Sequence, residues 1–170
     1  MNQTAHELTA DIGCIGTSAR TSLAQCRGCT LRGSQLCRII LNEPSCGTRP
    51  PVLRRFGRGK RIAEQGEASG FLGVVRRGYA RRSVIKVSGK RILVGLAMPG
   101  DIVGGLPGRE HSFDSEAATD IEICLFDSET VKRQMDTNHS FRKSLLKEVD
   151  HQRNRLLGLL WRNGTLKSRE

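Results

Sequence analysis

The chain has 170 residues, which allows one ordinary domain with appendages. Hydrophobic residues make up 37%, enough for a core, and five Phe, one Tyr and one Trp make that core aliphatic. The net charge of +11 usually signals an anionic partner, but part of the excess lies beside cysteines and is discounted on that account. Met1 to Arg20 contains no basic segment followed by a long apolar run, which excludes a secretory signal. The longest apolar run near the end, Leu156 to Trp161, is six residues, against about twenty for a membrane span. The chain is therefore expected to be cytoplasmic, with no membrane partner. In a reducing compartment its six cysteines argue for metal or redox chemistry before disulfides.

Residues 1–25 are polar and weakly patterned and are expected to be mobile; Cys14, between Gly13 and Ile15, is read as a free thiol. The stretch Cys26-Arg-Gly-Cys29-Thr-Leu-Arg-Gly-Ser-Gln-Leu-Cys37 then places three thiols within twelve residues. Gly28 allows the tight C-x2-C turn because it has no Cβ, and Gly33 lets the loop fold back so that Cys37 reaches the same centre. Three local thiolates and one distant one are a usual way to hold an iron–sulfur cluster or a zinc ion. Arg20, Arg27, Arg32 and Arg38 favour thiolate over thiol. Zinc ribbons and reduced, buried thiols give the same spacing, so the triplet alone leaves these readings open.

The apolar run Arg38 to Leu41 is cut by Pro44, Gly47, Pro50 and Pro51, so no long helix continues there. Cys46 lies in this segment and is a substitute candidate for the fourth ligand. From Val52 to Met98 short apolar runs alternate with glycines. Strands are expected over Phe71–Gly78, Arg82–Val87, Lys90–Met98, Ile102–Val103 and Ile121–Phe126. Ser88-Gly89 makes a hairpin turn and Pro99-Gly100-Asp101 another, with a polar loop before Ile121. Many short strands at this spacing predict an antiparallel roll or barrel.

Asp127-Ser128-Glu129 opens a helix with an acidic first turn. A longer helix follows Asn138, and Phe141, Leu145, Val149, Gln152, Leu156 and Leu159 fall on a heptad seam suited to a two-stranded dimer contact. Packing of that helix on its own roll is the competing reading. The four histidines, His6, His111, His139 and His151, are scattered, and no nucleophile–base pair is visible, so an enzyme is not expected.

The order of cysteine cluster, glycine-punctuated roll, strand cysteine and seam helix resembles the Crp/Fnr superfamily, and within it the oxygen-sensing Fnr branch. The resemblance is carried by Gly66-Glu67, Val75-(x2)-Gly78, Gly89-Lys-Arg, Val94-Gly-Leu-(x2)-Pro-Gly-Asp101-Ile-Val-Gly104, His111-Ser-Phe113, Asp120-Ile-Glu-Ile-Cys124, the C-x2-C-x7-C spacing and Ser34-Gln35-Leu36-Cys37. It implies a mainly β fold, an antiparallel double-stranded β-helix of the cyclic-nucleotide-binding type. The domains would be an N-terminal arm with the cysteines over 1–50, a sensor roll over 51–136, a dimerisation helix over 137–163 and a linker from 164. It further implies that Cys26, Cys29, Cys37 and Cys124 bind a [4Fe-4S] cluster whose conversion by oxygen weakens the dimer and abolishes DNA binding. Leu36 would shield the sulfurs, with a plain core contact as the equal alternative.

Two departures from the family pattern stand out. Where the cyclic-nucleotide branch carries Gly-Glu and Arg-Ser pairs, this chain reads Gly104-Gly105 and His111-Ser112. The arginine fork that holds a phosphate is missing, so no cyclic nucleotide is expected, although Arg109 is near. The sequence also stops where family members continue into a helix-turn-helix domain. It is expected to be either a sensory fragment or a natural short form, a homodimer or a heterodimer with full-length relatives. DNA and RNA polymerase would be reached only through that further domain. The runner-up reading is a small-ligand β-roll with structural zinc, Cys46 replacing Cys124, or with free cysteines.

Overall fold

A computed structural model describes residues 26, 28–33, 37, 49 and 51–166. Its body is two four-stranded antiparallel sheets. The first has the order β1 (Val52–Phe56), β8 (Ile121–Asp127), β3 (Phe71–Arg77), β6 (Ile102–Gly104). The second has β2 (Arg61–Ala63), β7 (Asp114–Ala117), β4 (Ala80–Ile85), β5 (Arg91–Ala97). Between them lies an aliphatic core in which Ile121, Ile123 and Leu125 of β8 meet Phe71 and Val75 of β3, with Ile62, Ala80, Ala97 and Ala117 from the other sheet. Alternation along β8 and β3 sends their remaining residues to the opposite face. There Leu72, Val74 and Phe126 build a second cluster with Ile102, Val131, Phe141 and Leu145. The expected β-roll is therefore present.

Three strands were not expected individually. Strands β1 and β2 fell within a region read only as short apolar runs, and β7 was read as a polar loop because its sequence, Asp-Ser-Glu-Ala, has no apolar alternation. It is held instead by pairing with β2 on one side and β4 on the other. The turn at Ser88-Gly89 closes β4 to β5 as anticipated, with Gly89 at φ 76° and its N–H donating to the Lys86 carbonyl at 2.8 Å.

Helix α1 (Ser128–Thr137) starts where an acidic cap was read: Asp127 Oδ1 accepts the Thr130 N–H at 2.9 Å. Helix α2 (His139–Leu166) is capped by Asn138, whose Oδ1 accepts the Phe141 N–H at 2.9 Å. It runs past the expected end at 163. Among the described residues no helix is long and apolar enough to cross a membrane.

The seam expected on α2 requires correction. Phe141 is fully buried, and Leu145 and Gln152 are also buried within their own chain, so none of these three is free to meet a partner. Leu156 lies against Gly95 of β5, where a Cβ would collide with the Leu156 side chain. Among the described members of the expected set only Val149 is strongly exposed, at 45%. The exposed apolar edge is offset by about one residue and carries Leu146, Val149, Leu157 and Trp161. A heptad pattern cannot tell which of two adjacent stripes packs inward, because the roll and a partner helix both reward apolar residues. The side chain of Leu159, and all of Cys14, Leu36 and Cys46, lie outside what the structure describes.

Candidate functional site

Cys124 is at the centre of β8, opposite Leu53 of β1 and Val74 of β3. Its neighbours Ile123 and Leu125 point into the roll, so its thiol emerges on the outer face, half-buried beside the second apolar cluster. Burial pushes the Cys124 thiol up to about 12, and Cys37, Cys26 and Cys29 push it the same way through the charge of their thiolates, while Arg76 opposes them. These four cysteines therefore share one electrostatic neighbourhood despite their distance in sequence. None of the four is in a disulfide, and all are of intermediate exposure. Among the described residues no three His, Cys, Asp or Glu side chains are drawn together tightly enough for a single metal ion.

The thiol loop begins with a turn in which the Cys29 N–H donates to the Cys26 carbonyl at 3.3 Å, followed by a 3₁₀ turn over Thr30–Gly33. Leu31 anchors it, packing against the cluster that contains Phe141 and Leu145 of α2 and Met135 of α1. Leu31 also stands over the turn before β6, where a Cβ on Gly100 would lie 3.8 Å from its Cδ2. The next residue is Asp101, buried, whose Oδ2 accepts the Met98 N–H at 2.9 Å and pairs with Arg155 Nη2 of α2 at 2.5 Å. Arg82 is buried alongside. Its Nη2 donates to the Ile102 carbonyl and, at 3.1 Å, to Gln152 Oε1 of α2. The thiol loop, the Gly100-Asp101 turn and α2 thus form a continuous series of contacts.

Sequence reasoning missed Leu31, Asp101, Arg82 and Arg155 as members of this series. Asp101 was read only as a turn residue. For Arg82 a signal existed: alternation along β4 puts Arg81 outside with Glu116 and therefore Arg82 inside, an inward charge that calls for an explanation.

The residues that depart from the phosphate-binding pattern surround one cavity of about 600 Å3 at the Gly104–Ser115 loop. His111 is buried in its wall, its ring 5.9 Å from that of Phe71. Desolvation holds His111 below its ordinary value, against the opposing pull of Glu67 and the Gly104 backbone. Arg109, which also lines the cavity, is exposed.

The family model for the cyclic nucleotide-binding domain matches residues 53–138, half of the chain. The chain belongs to the cyclic nucleotide-binding domain family. Its regulatory relatives are of the Crp/Fnr type. This cyclic nucleotide-binding domain is 31% identical over 142 residues to a protein named as a probable transcriptional activator from Rhizobium leguminosarum bv. viciae, covering 79% of this chain and 58% of that one. It is 31% identical over 108 residues to the transcriptional activator protein FnrL of Cereibacter sphaeroides, covering 62% and 43%. The chain spans about half the length of these curated relatives. Among solved structures, FixK2 of Bradyrhizobium japonicum superposes with a TM-score of 0.54 at 20% identity, covering 63% of this chain and 56% of that one. The c-di-GMP-responsive regulator CLP of Xanthomonas campestris superposes at 0.61 with 15% identity, covering 77% and 62%. At such identities these likenesses show the fold.

Proposed function

We propose that this chain is the sensory and dimerisation part of a cytoplasmic, oxygen-responsive transcriptional regulator, not an enzyme, with Cys26, Cys29, Cys37 and Cys124 as ligands of a [4Fe-4S] cluster. The observation that carries this reading is the outward position of the Cys124 thiol, within electrostatic reach of the three loop thiols. The donor set fits the group: four cysteines outside any disulfide, one held by a rigid strand and three by a short loop, with Arg76 close enough to offset thiolate charge. When bound, such a cluster supplies an oxidisable inorganic centre. The residues of the chain do the rest. Ligation ties down the loop, Leu31 is thereby kept in the apolar cluster it shares with Phe141 and Leu145, and α2 is held in one position on the roll.

A cyclic nucleotide does not fit the loop that lines the cavity. Its own arginine, Arg109, is exposed, and burial disfavours the charged form of His111, so neither is set up as an inward cation for a phosphate. Dimerisation in this reading uses the exposed edge of α2 at Leu146, Val149, Leu157 and Trp161. DNA and RNA polymerase would be engaged through a helix-turn-helix domain of the kind that full-length regulators carry.

The test is anaerobic reconstitution with iron and sulfide. We expect a brown protein with broad visible absorbance that bleaches in air, and Cys124→Ser should remain colourless while keeping its fold by circular dichroism. A colourless wild-type protein carrying one zinc, or a brown Cys124→Ser protein with unchanged iron content, would overturn the assignment.

A further inference from the structure

The outer face of the first sheet carries an ion cluster next to Cys124. Along β8, Glu122 and Cys124 are two residues apart and point the same way, while Ile121 and Ile123 fill the core. On β3, Val74 is in register with Cys124, and Arg77 with Glu122. The register shifts between Val75 and Arg77, so Arg76 is an extra residue in the ladder. Val75 is buried in the core, and Arg76 therefore emerges on the outer face, between the Val74–Cys124 and Arg77–Glu122 pairs. Bulges re-aim side chains, and this one turns a guanidinium toward the row that holds the thiol.

Glu122 does not neutralise Arg76 on its own. Its Oε1 accepts from Arg55 Nε of β1 at 3.1 Å, whereas its Oε2 lies 3.8 Å from Arg76 Nη1. Two guanidinium groups thus stand around one carboxylate, and Arg76 has the looser contact. The Arg55 side chain is 77% exposed and that of Arg76 only 25%, so water screens the surplus positive charge least at Arg76. Arg76 also acts on the Cys124 thiol, with a sign opposite to that of Cys26, Cys29 and Cys37. Gathered thiolates repel one another, and four of them outweigh the charge of the zinc ion or [4Fe-4S] core they hold. We propose that Arg76 is a positioning residue of the thiol site, a cation from the sheet that offsets the charge of the four gathered cysteines and so slows loss of the metal they hold. This role rests on Cys124 being a ligand, as proposed above. The cations expected from the sequence, Arg20, Arg27, Arg32 and Arg38, sit in the cysteine segment itself, whereas Arg76 belongs to the sheet that carries Cys124.

Chelator challenge of the reconstituted full chain under nitrogen tests this, with the rate of iron transfer to bathophenanthroline as the readout, or of zinc transfer to pyridylazoresorcinol if the protein carries zinc. Arg76→Gln, with its fold checked by circular dichroism, should lose metal about tenfold faster than the wild type. Arg76→Lys keeps the charge and should stay within about twofold. Arg77→Gln removes an equal charge one residue away and should match the wild type. Glu122→Gln breaks the same ion pair but removes a negative charge, so it should release metal no faster than the wild type. A colourless, zinc-bearing wild type refutes the cluster and leaves Arg76 to be judged on the zinc rates, whereas a wild type that holds neither metal overturns both. The role of Arg76 alone is overturned if Arg76→Gln keeps the wild-type rate or if Arg76→Lys releases metal as fast as Arg76→Gln. It is also overturned if Glu122→Gln matches Arg76→Gln, in which case Arg76 is a strut between β3 and β8 only.

Discussion

Asp101→Asn isolates the electrostatic tie between the roll and α2. The wild-type carboxylate is buried, accepts the Met98 N–H, pairs with Arg155 at 2.5 Å and attracts Arg82. Asparagine keeps an acceptor for Met98 and is nearly isosteric, so the turn survives while the charge is lost. Removing one member of a buried ion pair costs about 3–5 kcal/mol because the other is left uncompensated. Here Arg155 retains 31% side-chain exposure and can turn to water, whereas Arg82 cannot. The lower end, about 3 kcal/mol, is therefore expected. For a domain of this size that corresponds to a fall in Tm of about 6–12 °C, and to a lower urea midpoint with an unchanged slope. Combining Asp101→Asn with Arg155→Met should cost less than the sum of the two by about 1–2 kcal/mol. A loss for Asp101→Asn below about 1 kcal/mol, or strict additivity in the cycle, would refute the argument that this carboxylate fastens α2 to the roll.

Val149→Glu, on the exposed edge of α2, should give a monomer by sedimentation while leaving the reconstituted chromophore in place, whereas Phe141→Ala should destabilise the protomer itself by about 3–5 kcal/mol in urea. Gly95→Val forces the Leu156 side chain off β5 and should cost about 1–3 kcal/mol, with a changed emission from Trp161 further along the same helix. His111 is held below its ordinary value of 6.5, so the unfolded chain takes up the proton first. Its contribution to stability is complete above that pH and is lost as the pH falls through it toward the folded value. The wild type should therefore lose stability on acidification more steeply than His111→Gln, as measured by urea midpoints at successive pH values; parallel curves would show that folding does not hold His111 below its ordinary value.

The roll was legible in the sequence because β3, β5 and β8 are short apolar runs and the turns between them carry glycine. Strand β7 was not, because Asp114, Ser115 and Glu116 owe their conformation to neighbours on both sides and not to their own preferences. The position of Cys124 on a strand followed from Ile121-Glu-Ile-Cys-Leu-Phe, and its outward direction follows from the same alternation once the core side is known. The face that α2 turns to the roll did not follow: Leu145 and Leu146 are adjacent, equally apolar, and one is buried and the other exposed. Alternation along β4 could have marked Arg82 as inward, but its partners Asp101 and Arg155 could not be read off, because they lie far away in sequence and only the roll brings them together.

β8 has a strand on either side and fills the core with every second side chain. In the reading proposed above, Cys124 would be the fixed jaw of a clamp, with Cys26, Cys29 and Cys37 on the other side. Damage to anything clamped between them would be relieved on the loop side alone. Leu31 would then be the first residue to withdraw, leaving a gap beneath the foot of α2 while the barrel of strands kept its shape.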